Sequence, residues 1–351
     1  MELIDTDYFR GILGKSGTSV PSFPIILGYS IWSYHKHTGI PAYEIMKDGK
    51  KHAAAQLYVA KEFNLPFVIG FSDLNVIGEA LGATLTYMPD VIPVHEIAAV
   101  KTAEDIEVLE TADPNKDSRM PVIIETCRNY VKKFKNSENI IGAGVEGPIT
   151  AAGSVWGMEN LMRNMINNPD LVHKILDVTT DSIIDFLNEQ METGADLAVL
   201  SDPSASCTCI SPQFFQKFAF PYYKKISRKV NTVAFLVHIC GEVYNILKPL
   251  TRVPKILVIS VDMVDLKKAK EALGKKFIIL MGNVSTATMR YGTAQQVEEE
   301  AKSCIRAAAE GGKFMLSTAC DIAPGTPSVN IKALINAGSK YGTYPLINLE
   351  P

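Results

Sequence analysis

The chain has 351 residues and a mass of 38.4 kDa, with 47% hydrophobic and 21% charged residues, a balance that excludes wholesale disorder and is ample for a large core. A net charge of −3 and a pI near 6.1 argue against a nucleic-acid surface as its main business, since phosphate neutralisation needs a basic excess. No apolar run reaches the roughly eighteen residues of a membrane helix, and Glu2, Asp5 and Asp7 stand where a secretion signal would carry cations; a cytoplasmic protein away from membranes is expected.

Short runs rich in Val, Ile, Leu and Phe alternate with longer stretches of helical periodicity. After an N-terminal extension over 1–23, strands are predicted at Pro24–Gly28, Pro66–Phe71, Ile140–Val145, Leu197–Ser201, Val233–His238, Ile256–Val261, Phe277–Gly282 and Lys313–Ser317. Between and after them, helices are predicted at Lys51–Asn64, Pro121–Lys135, Asp170–Thr193, Pro212–Val230, Thr293–Glu310 and Ser328–Tyr341. Several start with a capping residue or a first-turn proline, as in SPQFFQKF and TPSVNIKALI. Eight continuous apolar strands, each followed by helix, suggest a single (β/α)8 TIM barrel more than an open sheet. Neither a Gly-x-Gly-x-x-Gly after the first strand nor a Walker sequence supports the open-sheet alternative. The longest insertion, roughly 72–139, follows the second strand and is expected to cover one barrel mouth.

In such a barrel, function sits at the carboxyl ends of the strands. Asp73, Glu146, Asp202, His238 with Cys240, Asp262, Asn283, and Cys320 with Asp321 all fall there. His238 and Cys240 are two apart on a strand, so they project to one face and can hold one metal ion together. Cys320 follows the eighth predicted strand, and because a closed barrel brings its strand ends together near the axis it can converge on the same point. Two thiolates and an imidazole select Zn2+, and three ligands leave the open position a catalytic zinc requires. A buried histidine beside two unrelated core cysteines is the alternative.

The remaining cysteines, Cys127, Cys207, Cys209 and Cys304, are expected as thiols, with Cys207-x-Cys209 in a loop preferred as packing or surface residues over a second metal pair. His35 and His37 are expected as solvated loop residues, and His52, His95 and His173 as surface or capping residues. Each strand-end carboxylate is as easily a helix cap or an ion-pair partner as a catalyst.

Six segments carry a resemblance: VEGPIT at 145–150, GADLAVLSDPSAS at 194–206, ISPQFFQKFAFPY at 210–222, HICGEV at 238–243, LMGNVS at 280–285 and CDIAPGTPSVNIKALI at 320–335. Together they resemble the uroporphyrinogen decarboxylase superfamily of (β/α)8 barrels, and within it the zinc-dependent methylcobamide:coenzyme M methyltransferases. The resemblance spans roughly Pro24 to Gly342. It implies zinc on His238, Cys240 and Cys320, with a methyl group moving between methylcob(III)amide on a separate corrinoid protein and a small thiol such as coenzyme M. Glu146, Asp202 and Asp73 are then expected at the catalytic centre, Glu146 near the metal, and Asn283 and Asp262 at the cofactor. A relative that demethylates a substrate and loads the corrinoid protein is an alternative. So is a tetrapyrrole decarboxylase: FSDLNVIGEALG at 71–82 resembles the decarboxylase segment whose essential aspartate falls on Asp73. Against it, no arginine lies between Arg10 and Arg119 to grip a polycarboxylate.

Overall fold

Seven of the eight predicted strands form in the computed structural model, which describes residues 7–134, 137 and 139–346. Glu2, Asp5 and Lys135 lie outside the described residues. The strands are β1 (Phe67–Ile69), β4 (Ile140–Glu146), β5 (Leu197–Ser201), β6 (Phe235–Ile239), β7 (Ile256–Val261), β8 (Ile279–Val284) and β9 (Phe314–Thr318), all parallel and paired in that order. The inserted β2 (Thr84–Thr86) and β3 (Val94–Ile97) make a separate antiparallel pair. Nearly every residue of the seven parallel strands is buried, which is why they read as unbroken apolar runs.

The first predicted strand, Pro24–Gly28, is not one. Residues 21–27 run as an extended strap along β9: Leu316 N–H donates to Pro21 O at 2.9 Å, Phe23 N–H to Leu316 O at 2.8 Å and Ile25 N–H to Thr318 Oγ1 at 3.0 Å. On the other side the Phe23 ring packs on Phe67 of β1, centroids 4.9 Å apart. Pro21 and Pro24 lack the N–H that a continuous ladder needs, so the strap fills the eighth position of the TIM-type α/β barrel with a single parallel bridge, Ser22 to Leu316, in place of a strand. Gly28 then opens a helix, Gly28–Thr38.

The other helices follow the predicted pattern. Gly49–Phe63 is capped by Asp48, whose carboxylate accepts from Lys50 and Lys51 N–H, and Ala294–Ala308 starts with a Thr293/Gln296 capping box. Pro169–Glu192 and Ser328–Tyr341 lie within a residue of expectation. The predicted helix from Pro212 is interrupted: Pro212–Phe214 passes through a π turn, Phe215–Ala219, before Phe220–Lys229. Pro221 cannot donate to a carbonyl one turn back, which accounts for the widened turn. In the insertion, the short helices Val76–Ala80 and Ala103–Glu107 accompany the β2–β3 pair, and Met120–Phe134 packs beside Gly49–Phe63. Among the described residues, no helix is long and apolar enough to cross a membrane.

The register of the sheet positions the site. Glu146 of β4, Ser201 of β5, His238 of β6 and Ser260 of β7 are successive Cα partners, so these four side chains form one layer at the carboxyl ends of their strands.

Candidate metal centre

His238 Nε2 lies 2.9 Å from Cys240 Sγ, and Cys240 Sγ lies 3.0 Å from Cys320 Sγ. The three donor atoms fall within 4.8 Å of one another. Ser260 Oγ meets His238 Nδ1 at 2.9 Å, fixing the ring so that Nε2 faces the sulfurs. The set is one borderline nitrogen and two soft sulfurs. Tetrahedral zinc, with bonds of about 2.3 Å to sulfur and about 2.0 Å to nitrogen, would space these donors by roughly 3.5–3.8 Å. The cluster accommodates that by opening less than about 1 Å, and three protein donors leave the fourth position free. The two thiols act on each other: the hydrogen bond to Cys320 raises Cys240 far above the ordinary thiol range, and the same bond lowers Cys320.

The turn after Cys240 is built for close approach. Gly241 has φ +81°, and a Cβ there would lie 2.5 Å from Thr208 Oγ1. Thr208 Oγ1 in turn accepts the Glu242 N–H at 3.0 Å, and Cys207 N–H donates to Glu242 O at 2.8 Å, so the 203–210 loop braces this turn by one side-chain and one backbone hydrogen bond. Cys209 is exposed, Cys207 is half-buried, and neither belongs to the donor cluster.

The strand-end carboxylates are used differently. Each holds a loop that follows a neighbouring strand. Asp262, after β7, accepts Gly241 N–H at 2.8 Å, and it is half-buried within the electrostatic reach of Cys320 and His238. Asn283 of β8 donates to the Asp262 and Val264 carbonyls at 2.7 and 2.9 Å, and its Oδ1 meets Cys304 Sγ at 3.6 Å, so the amide is spent on the β7 loop. Asp202, after β5, is fully buried and caps helix Pro148–Trp156: it accepts from Ile149 N–H, Thr150 N–H, Thr150 Oγ1 and Tyr223 OH. Gly147 is required there, because a Cβ would lie 2.3 Å from that of Asp202. Asp321 accepts from Leu27 and Gly28 N–H at 2.7 and 3.0 Å, tying the strap's helix to the loop that carries Cys320. Burial raises Asp202, and lifts Asp321 to about 7.

Asp73 is locked in a salt bridge. Arg119 NH1 and NH2 donate to its two oxygens at 2.7 and 3.0 Å, and Arg119 Nε reaches Glu79 at 2.7 Å. Burial pushes the Asp73 carboxyl up, but the guanidinium outweighs it and holds the group below the usual carboxylate range. Glu146 alone among these carboxyls has a buried oxygen with no partner among the described residues: Oε1 accepts Ile77 N–H at 2.6 Å, while Oε2 is unpaired. Burial raises its carboxyl to about 7.

His52 corrects an expectation. It is fully buried, its nitrogens meeting Ser72 Oγ at 2.8 Å and Thr126 Oγ1 at 3.2 Å, and burial lowers it to about 4. Two hydroxyl partners let a neutral ring sit in the core. Ser260, Arg119 and Gly241 are the site residues sequence reading did not single out. Ser260 was legible as the inward residue two before Asp262; nothing in sequence pairs Arg119 with Asp73.

Comparison with known proteins gives the family and the fold. The uroporphyrinogen decarboxylase (URO-D) family profile matches residues 15–341. A methylcobamide:CoM methyltransferase, MtaA of Methanosarcina barkeri, is 32% identical over 271 residues, covering 76% of this chain and 78% of that protein. A uroporphyrinogen decarboxylase of Synechococcus sp. (strain CC9605) is 27% identical over 250 residues, 68% of each chain. A methyltransferase from Methanosarcina mazei superposes with a TM-score of 0.84 at 28% identity, over 96% of this chain and 98% of that one. A B12-independent methionine synthase from Shewanella sp. W3-18-1 shares the fold, at 13% identity and a TM-score of 0.61 over 92% and 97% of the two chains. The chain belongs to the uroporphyrinogen decarboxylase family and resembles its methylcobamide:CoM methyltransferase branch.

Proposed function

We propose that this chain is a zinc-dependent methyltransferase acting between methylcob(III)amide and a small thiol such as coenzyme M, and that residues 1–351 act as one barrel domain. The observation that carries the reading is the convergence of His238, Cys240 and Cys320 from two strands eighty residues apart. The identities to methylcobamide:CoM methyltransferases support it. Zinc on these donors would supply a cation that favours the substrate thiolate over the thiol.

The chain's own residues supply position. Ser260 orients His238, Asp262 pins the Gly241 turn, and Asp321 holds the Cys320 loop against the strap. In the reaction a sulfur lone pair attacks the methyl carbon, the S–C bond forms, and the Co–C bond breaks with its electron pair left on cobalt. Binding the thiol therefore releases one proton, and the methyl step itself moves none. The corrinoid is carried on a separate protein that docks at the barrel mouth, where these strand ends open. A decarboxylase centred on Asp73 would have to present that carboxyl to a porphyrinogen, and both of its oxygens lie on Arg119.

The test is anaerobic mixing of zinc-analysed protein with methylcob(III)alamin and a thiol panel that includes coenzyme M, followed by the corrinoid spectrum. Formation of cob(I)alamin with one thiol, abolished in His238→Ala, is expected. Zinc-loaded protein inert toward every thiol, or zinc-free protein that decarboxylates a porphyrinogen, would overturn the proposal.

A further inference from the structure

Every strand-end carboxyl but one is explained by what it holds. Asp73 lies on Arg119, Asp202 on a helix start and a tyrosine, Asp262 on Gly241 and Asp321 on the strap. Glu146 is the exception. It is fully buried, one oxygen accepts Ile77 N–H, and Oε2 makes no hydrogen bond among the described residues, with the backbone N–H groups of Gly78 and Glu146 itself also acting on the carboxyl. A buried carboxyl oxygen without a partner costs free energy unless something arrives to use it.

Its place in the sheet says what could arrive. Glu146 is two strands from His238 in one layer, with Ser201 of β5 between them. Adjacent strands are about 4.8 Å apart, so the two Cα atoms stand roughly 10 Å apart, with Glu146 held on its β1 side by Ile77 N–H and His238 on its β7 side by Ser260. Ser201, the smallest side chain of the three, stands between them. A ligand bound beside His238 would share this layer with the unpaired Oε2.

We infer that Glu146 accepts the proton released when the thiol substrate binds at the His238–Cys240–Cys320 centre. This rests on the functional reading above. In the step, the S–H bond breaks with its electron pair left on sulfur, and an O–H bond forms at Oε2. The carboxyl's raised value, about 7, places it in balance with neutral solution. The charges that face it are consistent with this: Asp73 raises it, while Arg119 stands between Asp73 and Glu79 and neutralises one of them, and the β5 carboxylate, Asp202, is turned onto its helix cap.

Proton counting tests the inference. Titration calorimetry of the zinc-loaded protein with coenzyme M, repeated in buffers of different ionisation enthalpy, gives the protons released to solvent per thiol bound. Wild type should release well under one proton near pH 7.5, because Glu146 keeps part of it. Glu146→Gln retains the acceptor for Ile77 N–H, and should bind the thiol while releasing about one full proton from pH 6.5 to 8.5. Infrared titration of the zinc-free wild type should show a carboxyl C=O band, absent in Glu146→Gln, that titrates near pH 7. Equal proton counts in the two proteins, as expected if Oε2 holds only a trapped water, would overturn the inference, as would a count that changes in Asp262→Asn and not in Glu146→Gln. Thiol binding absent from wild type would overturn the functional reading, and the inference with it. Binding with an unaltered count overturns the inference alone.

Discussion

The two sides of the barrel mouth use the same kind of residue for opposite ends. On the β6 and β9 side, His238, Cys240 and Cys320 point at one another, and Nε2 and the two sulfurs are partners to each other. On the β1, β4 and β5 side, Asp73, Asp202 and all but one oxygen of Glu146 are consumed by Arg119, helix N-termini or a tyrosine. A polar residue at the end of a barrel strand is therefore not yet a catalyst. What distinguishes the two sides is whether the lone pairs are already spent on the fold. If that division is right, substitutions on one side should remove chemistry and leave the fold, and those on the other should do the reverse.

The largest expected effect comes from the donor side. Cys240→Ser and Cys320→Ser should lose bound zinc and at least about a thousandfold of turnover, because serine hydroxyls are not deprotonated ligands at neutral pH. Metal analysis alongside circular dichroism reads both halves: full zinc in either folded variant would break the comparison. On the other side, Arg119→Met should destabilise the fold by about 3–5 kcal/mol while leaving zinc content unchanged, since it strands Asp73 without a counter-charge. The pH dependence has a definite sign. Asp73 is held below its unfolded value, so its contribution is full above the ordinary carboxylate range and is lost as pH falls through the depressed folded value. Arg119→Met should therefore flatten the acid limb of a denaturation series. A steeper limb would count against the pairing.

A subtler probe sits between the two sides. Ser260→Ala removes the hydroxyl that meets His238 Nδ1, leaving the three donors in place. Loss of such a partner behind a metal-bound histidine typically costs about 10–100-fold in metal affinity. Competition with a zinc chelator should find a shift of that size. An unaltered affinity would mean that packing alone orients the ring.

The sequence carried the barrel because its strands are buried on both faces and read as unbroken Val, Ile and Leu runs. It misplaced the first strand because Pro21 and Pro24 leave an apolar run that looks like a strand but cannot pair as one. The candidate metal donors were legible as chemistry: a two-residue spacing on a strand fixes the face, and two soft sulfurs with a borderline nitrogen name a metal class. The roles of the carboxylates were not legible. Whether Asp202 or Glu146 is free depends on which N–H groups the preceding loops bring to it, and those partners are about fifty to seventy residues away in the chain. The Asp73–Arg119 pair spans 46 positions and hides in the same way.

Asp202 gives the smallest effect and the cleanest sign. Asp202→Ala removes the acceptor for the first turn of Pro148–Trp156 and leaves the Tyr223 hydroxyl without a partner, for about 2 kcal/mol. Burial has raised this carboxyl in the folded state, opposite to Asp73. A raised value means its stabilisation is fully present below the unfolded carboxylate pKa and declines as pH rises through the folded one. The deficit of Asp202→Ala relative to wild type should therefore be largest in acid and narrow toward neutrality, whereas that of Arg119→Met stays level above the ordinary carboxylate range and shrinks only in stronger acid. Urea denaturation of the two variants at matched pH values from 4 to 8 measures both slopes. Parallel slopes would mean that the two carboxylates are held by the same kind of interaction, and the division between ion pair and helix cap on this side of the barrel would fail.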